Sequence, residues 1–381
     1  MITQCLSIMR REILYLWRDK GLRWILIAGP LLGMLLFFAT YNREVLKNIP
    51  TAVVDLDRTG SSREMIAQIK YSEDLDVIAR PDSFDQLEEL IQQDKIVAGV
   101  VIPENFARDV LAGRQARVEM ILDGSNMAYA TGATGALLQI TRAAGARAGI
   151  KTLVARGVQP DQARNAYQAI VFREEAWFNP TLNYAFFLVV ALALNVWQQC
   201  CTLAACTNII GETGRNSWRQ VKAAGISRFK LFCSKSLAHI ALFMLTVLPV
   251  YILAYAVFDF PLHCSFAALL LFTLAFAVAL HGVGTLASGI SRNAVDAARF
   301  GMVIALPAFI LSGYTWPLEA MPPLIRHAVK ILPQTWFFQG FNLLTFKNPG
   351  WDFMSGYFLA LVSIAVACYG TAALIFKAKR L

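Results

Sequence analysis

The fold class this sequence predicts is an α-helical integral membrane protein with six transmembrane helices and an inserted α/β extracytoplasmic domain. Three observations carry that expectation. Leu22 to Ala39 holds only one charge, Arg23, and is long enough to cross a bilayer. A segment of mixed polarity, 41–180, follows, and beyond Pro180 the chain is almost continuously apolar. With 56% hydrophobic and 16% charged residues, the whole lies on the membrane side of globular usage.

Charge placement orients the layout. Residues 41–180 carry 16 basic and 19 acidic side chains, whereas the rest of the chain carries 19 basic and 7 acidic. The excess sits in short segments: Arg10, Arg11, Arg18, Lys20 and Arg23 around the first run, Arg215 to Lys235, and Lys377, Lys379 and Arg380 at the end. By the positive-inside rule these segments are cytosolic and 41–180 lies outside. The formal charge of +9 therefore reads as membrane topology and not as a nucleic-acid surface.

Hydropathy draws spans at about 21–40, 182–206, 232–258, 264–290, 297–313 and 355–377, an even number that returns both termini to the cytosol. Residues 1–20 read as an interfacial amphipathic helix, because Ile2, Leu6, Met9, Ile13, Leu16 and Trp17 recur at helical spacing opposite Arg10, Arg11 and Arg18. No small-x-small cleavage site follows the first apolar run, so it is expected to stay as a span. The divisions are then 1–20, the first span 21–40, an outer domain 41–180, a core 181–377 and a cytosolic tail 378–381.

The outer segment alternates strand and helix signals. Thr51 to Leu56, Leu75 to Ala79, Ile96 to Ile102 and Val118 to Leu122 read as strands. Between them lie helices opened at Ser61-Ser62, at Ser83 and at Glu104, which together give a small α/β domain. Met127 to Arg156 and Pro160 to Ile170 read as long helices returning the chain to the membrane. Asp55, Asp57 and Asp123 stand at strand ends, where a ligand can bind, although turn and cap roles explain such carboxylates more simply.

Catalytic chemistry has little support. There is no G-x-x-x-x-G-K-[ST] loop for phosphates, no His-x-x-x-His pair and no triad context. Cys200, Cys201 and Cys206 fit no strong ligand spacing and read as small packing residues. None of the seven cysteines falls in the outer segment, which is expected to fold without disulfides. Gly282-Val-Gly284 and Gly289 read as sites of close helix packing. His281, mid-span, either faces a cavity or packs as a hydrogen-bonded histidine.

Val54-Asp-Leu-Asp-Arg-Thr-Gly-Ser-Ser-Arg63, Val101-Ile-Pro-Glu-Asn-Phe106, Leu122-Asp-Gly-Ser-Asn126 and Trp177-Phe-Asn-Pro-Thr-Leu-Asn-Tyr184, in this order, resemble the membrane subunit of a bacterial ABC type-2 exporter. The likeness is to the multidrug-type branch with a large periplasmic domain between its first two spans. It implies a permease of the inner membrane that is no enzyme by itself and binds no cofactor, with ATP and Mg held by separate cytosolic ATPase subunits. It also implies a second permease copy or paralogue, and a periplasmic adaptor with an outer-membrane channel as further partners.

Within that resemblance the loop 207–230 is the ATPase-coupling segment. Glu212 and Gly214 match the family's acidic residue and glycine, and Arg215, Trp218, Arg219, Gln220 and Lys222 follow them. Where the family carries a Thr and a terminal Pro turn, this chain has Arg215 and Ala224-Gly225-Ile-Ser227. The stretch 314–341, broken by Pro317, Pro322, Pro323 and Pro333, cannot be one straight helix. It resembles paired re-entrant half-helices at the outer face, with Trp316, Pro317, Pro322 and Pro323 at the gate. Two other classes compete: an envelope receptor whose outer domain senses a ligand, independent of ATP, and an intramembrane enzyme, which would need carboxylate or histidine clusters.

Overall fold

A computed structural model describes residues 2–41, 47–167, 177–181, 183–214 and 217–378. The chain forms two compact units, 43–175 and the remainder (1–42 with 176–381). In chain order the elements are α1 (Ile2–Arg18), α2 (Lys20–Tyr41), β1 (Ile49–Asp55), α3 (Gly60–Lys70), β2 (Leu75–Ala79), α4 (Phe84–Gln92), β3 (Ala98–Ile102), α5 (Phe106–Leu111) and β4 (Glu119–Leu122). They continue with α6 (Met127–Ala155), α7 (Pro160–Tyr167), α8 (Tyr184–Ala205), α9 (Ile210–Gly214), α10 (Trp218–Ala223), α11 (Arg228–Ile252) and α12 (Phe266–Ile290). Last come α13 (Ala294–Ala308), α14 (Pro323–Ala328), α15 (Pro333–Asn342) and α16 (Trp351–Ala378).

The smaller unit is built on a sheet of order β2-β1-β3-β4, with β1 parallel to β2 and β3, and β4 antiparallel to β3. The central strand β3, Ala-Gly-Val-Val-Ile, is buried at every position, as a strand covered on both faces must be. On one face Ile49, Val53, Val100 and Ile102 pack with Met65, Ile66 and Ile69 of α3 and with Ala133 and Leu137 of α6. On the other, Ala52, Val54 and Val101 pack with Leu87 of α4. Gly99 lets α4 approach this closely, because a Cβ there would stand 2.7 Å from Leu87 Cδ2.

The first helix of the sheet is capped two residues earlier than its Ser61-Ser62 signal suggested: Thr59 is the N-cap, and Thr59 and Ser62 satisfy each other reciprocally. The strand-end aspartates are engaged in turns and caps. Asp55 accepts from the Arg58 amide and the Ser62 hydroxyl, Asp57 from Thr59 Oγ1 and the Ala107 amide, and Asp123 from Ser125. Helix α7 is described to Tyr167, so the end of the expected helix 160–170 lies outside the described residues.

In the larger unit, five helices are long and apolar enough to cross a membrane among the described residues: Lys20–Tyr41, Tyr184–Ala205, Arg228–Val257, Phe266–Ile290 and Trp351–Lys377. The segment expected as the fifth span, 297–313, does not reach that length. It is the 15-residue α13, tightened into a 3-10 turn at Ile310–Ser312 and ended by Gly313 at φ 85°. At 1.5 Å per residue α13 covers about 22 Å, short of a hydrocarbon core of roughly 30 Å.

Helix α12 is the centre of this unit, packed against α8, α11, α13, α15 and α16. Small residues permit the closest approaches. A Cβ on Gly284 would collide with Ala205 of α8, and one on Gly282 would press on Cys368 at 3.2 Å, whereas Gly289 has ordinary room. Helix α2 lies on α8 by the same device, with Gly33 against Val196 and Gly29 against Cys200.

Candidate functional site

The candidate site is the connection between α8 and α11, with the helices that clamp it. After Ala205 the chain does not leave the bundle at once, because Ser288 Oγ of α12 accepts hydrogen bonds from the amides of Ile209 (3.1 Å) and Ile210 (2.9 Å). Asn208 is 1% exposed and donates to Thr285 Oγ1 at 3.1 Å. These bonds satisfy backbone groups that a helix end would otherwise bury unpaired. They also tie the start of the loop to α12.

Glu212, in α9, is 1% exposed and is the hub of an ion cluster. Its Oε1 accepts from Arg11 Nη2 at 2.5 Å and from Lys235 Nζ at 2.8 Å, while Oε2 accepts from the Ser217 hydroxyl. Lys235 of α11 also donates to the Asn208 carbonyl at 2.7 Å and lies 3.3 Å from Glu12 Oε1. Glu12, fully buried, meets His239 Nε2 at 3.3 Å. Two cations and two carboxylates therefore balance, and this is the condition under which buried charge is tolerated. Burial pushes the Glu212 carboxyl up, but Lys235, Ser217 and Arg11 outweigh it and hold the group below its ordinary value.

The cluster continues inward along hydrogen bonds and ring contacts. The His239 and His281 rings stand edge to face with centroids 5.2 Å apart, and the Tyr369 hydroxyl of α16 lies 2.8 Å from His281 Nδ1. His281 is 0% exposed, so its surroundings are packed side chains and not an open cavity wall.

Beyond Glu212 the loop turns outward. In α10, Val221 is buried with Ile8 of α1 and Leu231 of α11, while Arg219, Gln220 and Lys222 are exposed. Trp218 is half-buried, donating to Thr213 Oγ1 and resting near the Phe376 ring of α16. Gly214 is exposed, and Arg215 lies outside the described residues. The helix ends at Gly225, φ 65°, with Gly225 N–H to Lys222 O and Ile226 N–H to Val221 O. This paired closure satisfies the last carbonyls of the helix without a proline. Glu212 thus holds the loop in place, and the exposed residues of α10 are the ones a partner can touch.

Sequence reasoning missed Arg11, Glu12, Lys235 and His239 as members of this site. The signal was present in α1. Ile8, Glu12 and Leu16 share one helical face and are all buried, while Leu6, Ile13, Leu14 and Trp17 are exposed. The buried stripe faces α11, and the exposed apolar residues lie away from it on the surface.

The broken segment before α16 forms the other expected site. Gly313 brings Leu318 and Gln339 too close for any side chain at that position, with a Cβ only 2.7 Å from Leu318 Cγ. Pro322-Pro323 opens the six-residue α14, and Pro333 opens α15. Trp316, Pro317, Pro322 and Pro323 are exposed, whereas α15 is buried and stacks Phe337 on Phe276 at 3.9 Å.

A family model described as ABC-2 family transporter protein matches residues 20–375. The chain is 24% identical over 375 residues to the probable multidrug ABC transporter permease YbhR of Escherichia coli K12, covering 98% of each chain. It is 22% identical over 341 residues to the inner membrane transport permease YhhJ of the same organism, covering 89% of this chain and 88% of that one. It is also 22% identical over 342 residues to the linearmycin resistance permease protein LnrN of Bacillus subtilis, covering 83% and 84%. Apolar spans, a glycine-packed bundle and a match across nearly the whole length converge: the chain belongs to the ABC-2 family of transporter proteins.

Proposed function

We propose that this chain is the membrane-spanning permease subunit of an ATP-driven exporter, with ATP and Mg bound and hydrolysed on separate cytosolic subunits. Two copies, or one copy and a paralogue, enclose a pathway lined in part by α8, α12 and α13. Both termini and the α8–α11 loop face the cytosol, α13 with the turn after it completes a sixth crossing, and the α/β unit stands in the periplasm. There it can dock an adaptor leading to an outer-membrane channel. The relatives named for multidrug export and linearmycin resistance support amphiphilic molecules as cargo.

One observation carries the reading: α10 exposes Arg219, Gln220 and Lys222 on a loop clamped through Glu212 to α1 and α11. A mobile loop would absorb a partner's motion, whereas a clamped one passes it to the bundle and shifts the balance between two arrangements. Arg219→Glu with Lys222→Glu is expected to abolish co-purification of the ATPase subunit and ATP-dependent export while membrane insertion persists. Undiminished co-purification and export would sink the proposal and favour an ATP-independent envelope receptor.

A further inference from the structure

The bundle contains a second polar group, separate from the ion cluster and wholly uncharged. Asn195, Gln198 and Gln199 lie on α8, and Gln334 is the second residue of α15. Gln198 is 0% exposed; its Nε2 donates to the Ala305 carbonyl of α13 at 3.0 Å and to Asn195 Oδ1 at 3.1 Å. Gln334, 1% exposed, donates to Gln198 Oε1 at 3.0 Å, and Gln199 donates to Asn195 Oδ1 at 3.3 Å.

Two features of this network are unspent. Gln334 Oε1 is buried with no hydrogen-bond partner among the described residues. Asn195 uses its carbonyl for both bonds, which leaves its amino group available as a donor, and both Asn195 and Gln199 are partly exposed near the middle of a 22-residue apolar helix. Amides in contact with hydrocarbon are costly, so an exposed pair at mid-span marks contact with something polar. Helix α8 and α15 carry no charged residue, and the adjoining α13 exposes Val303 and Leu306, with Ile310 exposed in the turn after it.

We propose, on the premise that the chain is an exporter's permease, that Asn195 and Gln199 form a cargo subsite for neutral hydroxyl or amide groups on an amphiphilic molecule, with Gln198 and Gln334 as positioning residues. Amides both donate and accept, which suits hydroxyl and amide groups, and no carboxylate is present to select a cation. The apolar face of α13 takes the hydrophobic body of such a cargo. Gln334 links the subsite to the broken segment, so cargo occupancy and the arrangement of α15 depend on the same amide.

The test uses the permease reconstituted in liposomes with its ATPase subunit and three probes: methyl cholate, its fully O-methylated analogue and dodecyltrimethylammonium. Methyl cholate is expected to stimulate ATPase turnover at about one tenth the concentration its O-methylated analogue needs, and Asn195→Leu with Gln199→Leu to erase that preference. Tenfold corresponds to about 1.4 kcal/mol. The response to dodecyltrimethylammonium is expected to stay the same. Gln199→Leu alone, which removes one surface amide, reads the same change if the double variant is poorly inserted. Equal half-maximal concentrations for the two cholate esters, in a complex that still responds to probes, would overturn the subsite and leave the exporter standing. Dissociation of two permease copies in the leucine variant would overturn it in favour of a contact between copies. Failure of the ATPase subunit to bind at all would overturn the exporter premise itself.

Discussion

Lys235 is the residue on which the candidate site turns. It is 2% exposed, yet its ammonium reaches Glu212, Glu12 and the Asn208 carbonyl, so three elements share one charge. Replacing it with methionine leaves two buried carboxylates with only Arg11 as a permanent cation beside them, and breaking a buried pair in this way costs roughly 3–5 kcal/mol. Lys235→Met is expected to lower the thermal midpoint of the detergent-solubilised protein markedly, and adding Glu212→Gln to restore part of the loss. A double variant no better than the single one would show that the pair is not coupled. The same hub gives a sign for pH. A carboxyl held below its ordinary value of 4.5 contributes stability that is complete above that value and is lost as pH falls through the lowered one. On acidification below about pH 4.5 the wild type should therefore lose more thermal stability than Glu212→Gln, and parallel midpoint curves would contradict the assignment.

At the scale of elements, glycines decide how closely the helices lie. Gly284 faces Ala205 with no room for a methyl group, and the obstruction includes backbone, which cannot rotate away; Gly289, further along the same helix, has Ile209 at an ordinary 3.7 Å. Overpacking of this kind costs about 1–3 kcal/mol. Gly284→Ala is expected to reduce folded protein in the membrane and its thermal midpoint, while Gly289→Ala leaves both near wild type; equal effects would refute the packing account. These glycines were legible in the sequence as packing sites, but not their inequality, which depends on a helix distant in the chain. The strands were legible for a local reason, since short runs rich in apolar residues and bounded by turn residues admit few other structures, and Ile96 to Ile102 is apolar throughout. The run 297–313 is divided between α13 and the 3-10 turn at Ile310–Ser312, and hydropathy, which ignores backbone conformation, shows neither that division nor the left-handed Gly313 that closes it. The ion cluster was the least legible part. Its members come from residues 11, 12, 212, 235 and 239, and no spacing rule connects them before α1 is laid along α11.

On the scale of the whole molecule, the two compact units make different demands on their surroundings. The unit 43–175 holds its own core on both faces of a four-stranded sheet, from residues between Ile49 and Ala144, and contains none of the seven cysteines. Its stability must come from apolar burial and capped helices, not from cross-links, and a domain of this size that folds alone has about 5–15 kcal/mol to draw on. A fragment spanning 47–167 is therefore expected to be soluble and to unfold in a single cooperative urea transition followed by circular dichroism. Its midpoint should be the same with and without dithiothreitol. A sloping, non-cooperative transition would mean that the sheet needs the membrane unit to fold. Gly99→Leu supplies an internal control, because its side chain would occupy the place of Leu87 and separate α4 from the sheet. That variant should shift the urea midpoint down while leaving reductant insensitivity intact, since the two properties have different physical origins.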